Sequence, residues 1–288
     1  MKKPIKKPWL IFLSCIFLSI LFAASPTEAQ QSAAATHNQR GFEFHSRRCL
    51  DDASREYAAA LKLDPPRELT AEEWALVRRF APRAFTTPTE FFALKDFAAI
   101  LHPTERLIAY HFFWEDDIDF PEDNDPCDHE VVWVQFSADR KNIEQIWTYF
   151  HGHILAGGEA ALNDARQHEM RPRINVQWGK HGSLLMGWEQ MTVKSDGGQT
   201  RSLKQYNEDT FRALTKSRRL AEHPIGIRLG WPLKFTGTWN EFTNFSRLVE
   251  TRQWLTKSKL ARVSRWNNAT INQQFLPYNF RPKTEWPR

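Results

Sequence analysis

The sequence predicts an α+β protein: a β-sandwich-like core of mostly antiparallel strands with peripheral helices at its N- and C-terminal ends. Three observations predict it. From 83 to 195, short aromatic and β-branched runs alternate with turn residues. The stretches 41–81 and about 200–262 have helical composition and spacing instead. No repeat or low-complexity linker divides the chain, so residues 41–288 read as one globular domain.

The N-terminus reads as an export leader over residues 1–29. Lys2, Lys3, Lys6 and Lys7 form a basic start, and Trp9 to Ala24 is an apolar run without a charge. That run of 16 residues is short against the roughly 20 needed to span a bilayer. Thr27-Glu28-Ala29 ends on a small residue, as a cleavage site should. An uncleaved anchor is the alternative. Without the four lysines the formal charge falls from +5 to +1, which removes any electrostatic reason to invoke nucleic acid. The expected location is secreted or periplasmic, with no membrane span after cleavage. Oxidising surroundings favour a Cys49–Cys127 disulfide, with two buried free thiols as the alternative.

Residues 30–40 are small and polar and read as a flexible arm. Ser54 to Leu63 is a helix stopped by Pro65-Pro66. Thr70-Ala71-Glu72-Glu73 is a capping box opening a second helix through Trp74, Leu76, Val77 and Phe80. Strands are expected at Leu107–Trp114, Glu130–Phe136, Gln145–Tyr149 and Ile174–Trp178. Residues 158–170 read as an inserted helix. Lys204–Leu220 and Glu241–Leu260 read as the C-terminal helices, and the chain after Trp266 as a belt over the core.

Chemistry concentrates in the β region. In a strand, Asp128 and Glu130 share a face with Val132, Val134 and Phe136. Two carboxylates at the mouth of an apolar row need cations, donors or a metal. Upstream, seven of the eleven residues from Glu115 to Asp125 are acidic, including Asp116, Asp117 and Asp125. That density of oxygen donors suits a hard cation. His151-Gly152-His153 offers two imidazoles on one side of an extended chain. His181 sits between Lys180 and Gly182, just after a predicted strand. No P-loop, dinucleotide fingerprint, H-E-x-x-H or C-x-x-C occurs.

Taken together, the aromatic strand ending in acids, the Asp-x-Glu-Val-Val-x-Val strand, His151-Gly152 and Gly179-Lys180-His181-Gly182 resemble the necrosis-inducing, ethylene-inducing-peptide-like secreted proteins. They also resemble the related vacuolar-protein-sorting-associated domains. The resemblance covers roughly residues 83–190. Of the toxin motif Gly-His-Arg-His-Asp-Trp-Glu, only Asp128 and Glu130 are kept. Asp125 and Cys127 replace its histidines. The resemblance implies a divalent cation (Ca²⁺, Mg²⁺ or Mn²⁺) held by Asp117, Asp128 and Glu130, with His181 where the family places a later histidine. Asp116, Asp125, His151 and His153 are further candidates. It implies lipid-headgroup contact but not cytolysis, because the full heptapeptide is missing.

Three functions follow as expectations. The first is a secreted metal-binding protein that recognises a polar or anionic ligand, a glycan or lipid headgroup, with Trp114, Trp133, Trp178 and Trp188 as stacking surfaces or core. The second is a metal-dependent hydrolase in which Glu130 or His181 moves protons. The third is a structural envelope protein whose acids and histidines pair with lysine and arginine.

Overall fold

The computed structural model describes residues 27–119, 128–194, 198–231 and 238–257, together with residues 263, 264, 283, 286 and 287. The predicted leader lies outside them except for Thr27, Glu28 and Ala29. Asp125 and Cys127 also lie outside. Cys49 is exposed, with a free thiol.

The chain is α+β, with strands in the middle and helices at both ends. A six-stranded sheet contains β2 (Leu94–Leu101), β3 (Leu107–Trp114), β4 (Asp128–Phe136), β5 (Ile143–Phe150) and β6 (His153–Ala156), antiparallel in that order. The short β12 (Val263–Ser264) adds in parallel beside β2. A four-stranded sheet has the order β11 (Arg247–Val249), β1 (Arg83–Thr86), β7 (Arg173–Val176), β8 (Ser183–Leu185). β9 (Thr192–Lys194) and β10 (Thr200–Ser202) form a separate hairpin.

The alternation of side chains decides which face is core. Phe112, Tyr110 and Ile108 of β3 stand opposite Glu130, Val132 and Val134 of β4. These apolar rows pack with Ala84, Ile174, Val176 and Leu185 of the other sheet in one buried cluster. The opposite face of β3 and β4 is also buried: Leu107, Ala109, Val131 and Trp133 form a second cluster that Trp286 joins.

The N-terminal region departs from expectation. Residues 30–40 are not an arm but part of α1 (Glu28–Ser46). Thr27 and Gln30 cap it reciprocally, the Gln30 N–H donating to Thr27 Oγ1 at 3.3 Å and the Thr27 N–H to Gln30 Oε1 at 2.8 Å. The helix is then held by tertiary packing on α2 (Leu50–Leu63). Gly41 makes that approach possible, since a Cβ there would lie 2.6 Å from the Tyr57 ring. The capping box predicted at Thr70 and Glu73 opens α3 (Ala71–Arg79). Among the described residues no helix is long and apolar enough to cross a membrane.

The inserted helix is α4 (Glu159–Gln167). Two long C-terminal helices were expected, and both are broken. The first divides into α5 (Leu203–Leu214) and α6 (Arg218–Glu222), with Ser217 capping the second piece. After α7 (Pro224–Leu229), the second becomes α8 (Trp239–Thr243), strand β11 and α9 (Thr251–Lys257). Backbone pairing of Arg247–Val249 with β1 outweighs their helix propensity. The bond from Thr251 to the Pro82 carbonyl and the pairing of buried Arg171 with Glu250 pin the following turn.

Candidate functional site

One end of the sandwich collects five chain segments, which Lys283 near the C-terminus joins. They are the loop after β1, the end of β3 with its acidic loop, the start of β4, the β5–β6 turn and the β7–β8 loop. The acidic loop is tied down where the Ile118 N–H donates to the Gly179 carbonyl at 2.8 Å. Lys180 closes the same contact, its ammonium 2.6 Å from both oxygens of Asp119. Gly179 has φ +64°, a left-handed conformation that costs side-chain-bearing residues about 1–2 kcal/mol. His181 and His151 also have positive φ, 51° and 44°.

His181 is the centre of the cluster. It is fully buried. Its ring stacks on Trp114, with centroids 4.6 Å apart and planes 8° from parallel. Nδ1 lies 2.9 Å from Asp128 Oδ2, and Nε2 lies 3.6 Å from Glu90 Oε1. The second distance is an ion-pair contact, too long for a hydrogen bond. Glu90 is itself fixed by the N–H groups of Phe91, Phe92 and Gly179, at 2.9, 3.0 and 2.7 Å. Burial opposes a charge on His181, but the two carboxylates outweigh it and raise its pKa to about 10. His181 is therefore an imidazolium with both nitrogens facing carboxylates. It enters the cluster as a cation.

The carboxylates divide into two kinds. Burial of Asp128 is outweighed by its bond to His181 and by Lys283, and its pKa falls below the usual range. Asp117 goes the other way: burial, then the negative charges of Asp128 and Asp119, push it up to about 8. Glu130 is raised to about 7 by burial and by Asp128, against the pull of Lys283. The Lys283 ammonium lies 2.8 Å from Glu130 Oε1 and also reaches the His129 carbonyl. Glu130 Oε2 is buried without a hydrogen-bond partner among the described residues.

The structure thus brings Asp117, Asp128, Glu130 and His181 together. Asp116 turns inward on its own loop, Oδ1 accepting from the Asp117 N–H at 2.9 Å. His151 sits at the margin. Burial and Lys180 depress it to about 4, so it is neutral, and Nε2 donates to Gln177 Oε1 at 2.5 Å. Gln177 in turn donates to Asn207 of α5 at 2.7 Å. His153 makes no hydrogen bond, ion pair or ring contact with the cluster among the described residues. The four tryptophans Trp114, Trp133, Trp178 and Trp188 are buried to 3% exposure or less, and none forms a stacking rim around this cluster.

Sequence reasoning missed Glu90 and Lys283 and gave Lys180 no role. Glu90 precedes Phe91-Phe92, and a lone acid against an aromatic pair is a usable signal for a buried ion pair. Lys283 has no local signal.

Five carboxylates (Glu90, Asp117, Asp119, Asp128, Glu130) face three cations (Lys180, His181, Lys283). With all of them ionised, two negative charges are left over. Hard oxygen donors, one of them orphaned at Glu130 Oε2, are the donor chemistry of Ca²⁺, Mg²⁺ or Mn²⁺. In the present side-chain placement, no group of three or more His, Cys, Asp or Glu is set to hold a metal ion among the described residues.

No protein-family model matches the chain, and no curated protein does. Among solved structures it is similar to the crystal structure of necrosis and ethylene inducing protein 2 from the causal agent of cocoa's witches' broom disease. Identity is 13% over 60% of this chain and 93% of that one, with a TM-score of 0.28.

Proposed function

We propose that the chain is a metal-binding recognition protein that works outside the cytoplasm, where Asp117, Asp128 and Glu130 hold a divalent cation that engages a polar or anionic ligand. The crowding of five carboxylates against three cations carries this reading: Asp117 and Glu130 are driven to hold their protons there, and a divalent cation could take the place of those protons. A bound divalent cation would supply positive charge and open coordination positions for ligand oxygens, such as those of a glycan or lipid headgroup. Asp117 and Glu130 are the carboxylates least satisfied by the protein itself, so they have most to gain from it. Lys283 stands in for part of that charge at Glu130, and its departure would free a donor oxygen.

The hydrolase reading is weaker. His181 is fully buried and held protonated by two carboxylates, so it is neither accessible nor basic near neutral pH. The structural reading keeps one specific observation in its favour. Lys180 and Lys283 already pair with Asp119 and Glu130.

Thermal melting and metal analysis of the exported chain, with EDTA and then with Ca²⁺, Mg²⁺ or Mn²⁺, separate the two. The cation reading expects a concentration-dependent rise in melting temperature, abolished in an Asp117→Asn, Glu130→Gln double variant. A melt insensitive to all three ions, with no metal retained, leaves the structural reading.

A further inference from the structure

A second site lies away from the carboxylate cluster and shares no residue with it. Ile174 and Val176 of β7 face the core, so Arg173 and Asn175 project from the other side of the sheet. There a cleft of about 440 Å³ opens between β7, the turn Trp188–Gln190, the start of α5 and α8. Its volume falls within the roughly 300–1,000 Å³ of small-molecule sites. Trp188, Trp239 and Phe245 form an aromatic wall, and Arg173, Asn175 and Lys204 are among the polar lining groups.

Arg173 is the informative residue. Its guanidinium carbon lies 4.1 Å from the Phe85 ring centroid. Nε donates to Asn175 Oδ1 at 2.8 Å and Nη2 to the Phe245 carbonyl at 2.6 Å. The group is fixed on three sides, yet no carboxylate forms an ion pair with it among the described residues. Asp164, whose charge acts on it, is committed to Arg83 at 2.9 Å and to the Arg173 backbone N–H at 2.9 Å. Lys204, exposed at the mouth, likewise has no ion-pair partner there. A rigid, half-buried guanidinium without a counter-ion is preorganised for an anion. Glu189, also on the lining, opposes a second negative charge and favours a monoanion. Half-exposed Trp239 offers the flat apolar surface on which a sugar ring stacks, and the Asn175 amide and Glu189 can pair with hydroxyls.

We propose that this cleft binds a sugar acid of one or two rings, its carboxylate between Arg173 and Lys204 and its ring face against Trp239. The test is calorimetric titration of the exported chain in EDTA, so that a cation site cannot contribute, with glucuronate, galacturonate, glucose and inorganic phosphate. Uronate should bind at least about tenfold more tightly than glucose, a difference of about 1.4 kcal/mol. Lys204→Ala should weaken uronate about five- to tenfold while leaving the melting temperature unchanged, because Lys204 is exposed. Trp239→Ala should weaken it as well. Uronate binding no tighter than glucose, no response to either variant, or phosphate binding as tightly as uronate would each overturn the assignment.

Discussion

His181 Nδ1 donates to Asp128 Oδ2 across 2.9 Å, joining residues 53 positions apart in the chain. The pair is charged, with His181 fully buried and Asp128 partly so, and neither member can lose the other cheaply. Asp128→Ala should destabilise the fold by about 1–3 kcal/mol, the cost of losing a charged hydrogen bond while Glu90 still faces the imidazolium. Urea unfolding at pH 7 in EDTA measures it. His181 has a raised pKa, so its contribution is complete below its ordinary value and is lost as pH rises through about 10. The gap between wild type and variant should therefore narrow in alkali. A cost below about 1 kcal/mol would mean that the imidazole is not charged in the fold.

Asp117 should make the metal-free protein less stable as pH rises. Its pKa of about 8 lies above the ordinary carboxylate value, so between the two the folded state holds a proton that the unfolded chain has released. Stability falls with pH across that window. Glu130, at about 7, acts with the same sign. In EDTA the melting temperature should drop between pH 5 and pH 8, and Asp117→Asn should flatten the drop. A melting temperature that climbs over the same range contradicts this assignment of charges.

Lys283→Met removes the cation from Glu130. At pH 8, where Glu130 is ionised, the variant should lose about 1–3 kcal/mol of stability. At pH 5 the carboxyl can take up a proton instead, and the loss should shrink to a fraction of that. Equal losses at both pH values would assign the effect to the ammonium over the Tyr149 ring, 4.6 Å from its centroid, and not to Glu130. If the cation reading holds, the same variant should also bind Ca²⁺ more tightly.

Gly179→Ala tests the joint between the acidic loop and the β7–β8 loop. The substitution strains a residue at φ +64° and sets a methyl group 3.0 Å from the Ile118 side chain. A loss of about 1–3 kcal/mol is expected. The acidic loop should also exchange its amide hydrogens faster, Ile118 first, because its N–H bond to Gly179 is the tie. Unchanged exchange at Ile118 would show that the loop is held by Lys180 and Asp119 alone.

The fold class was legible because its signals are local. Val132, Val134 and Phe136 alternate with a period of two, and the capping box at Thr70 and Glu73 is written within four residues. Where local propensity competed with tertiary pairing, the sequence misled. Arg247–Val249 has a helix-compatible composition but gains more from the ladder beside β1. Residues 30–40 look like a tail until α2 supplies a surface on which they fold as a helix.

By itself, the sequence determined the fold class and four of the central strands, and placed acids at the rim of an apolar strand, because side-chain periodicity depends only on neighbours along the chain. Only the tertiary structure decided which charges meet. It put Glu90 and Asp128 on opposite edges of the His181 ring and Lys283 against Glu130, and it placed Arg173 beside a cleft with no counter-ion among the described residues. Electrostatic energy depends on distance through space and on burial, and neither can be read from separation in sequence.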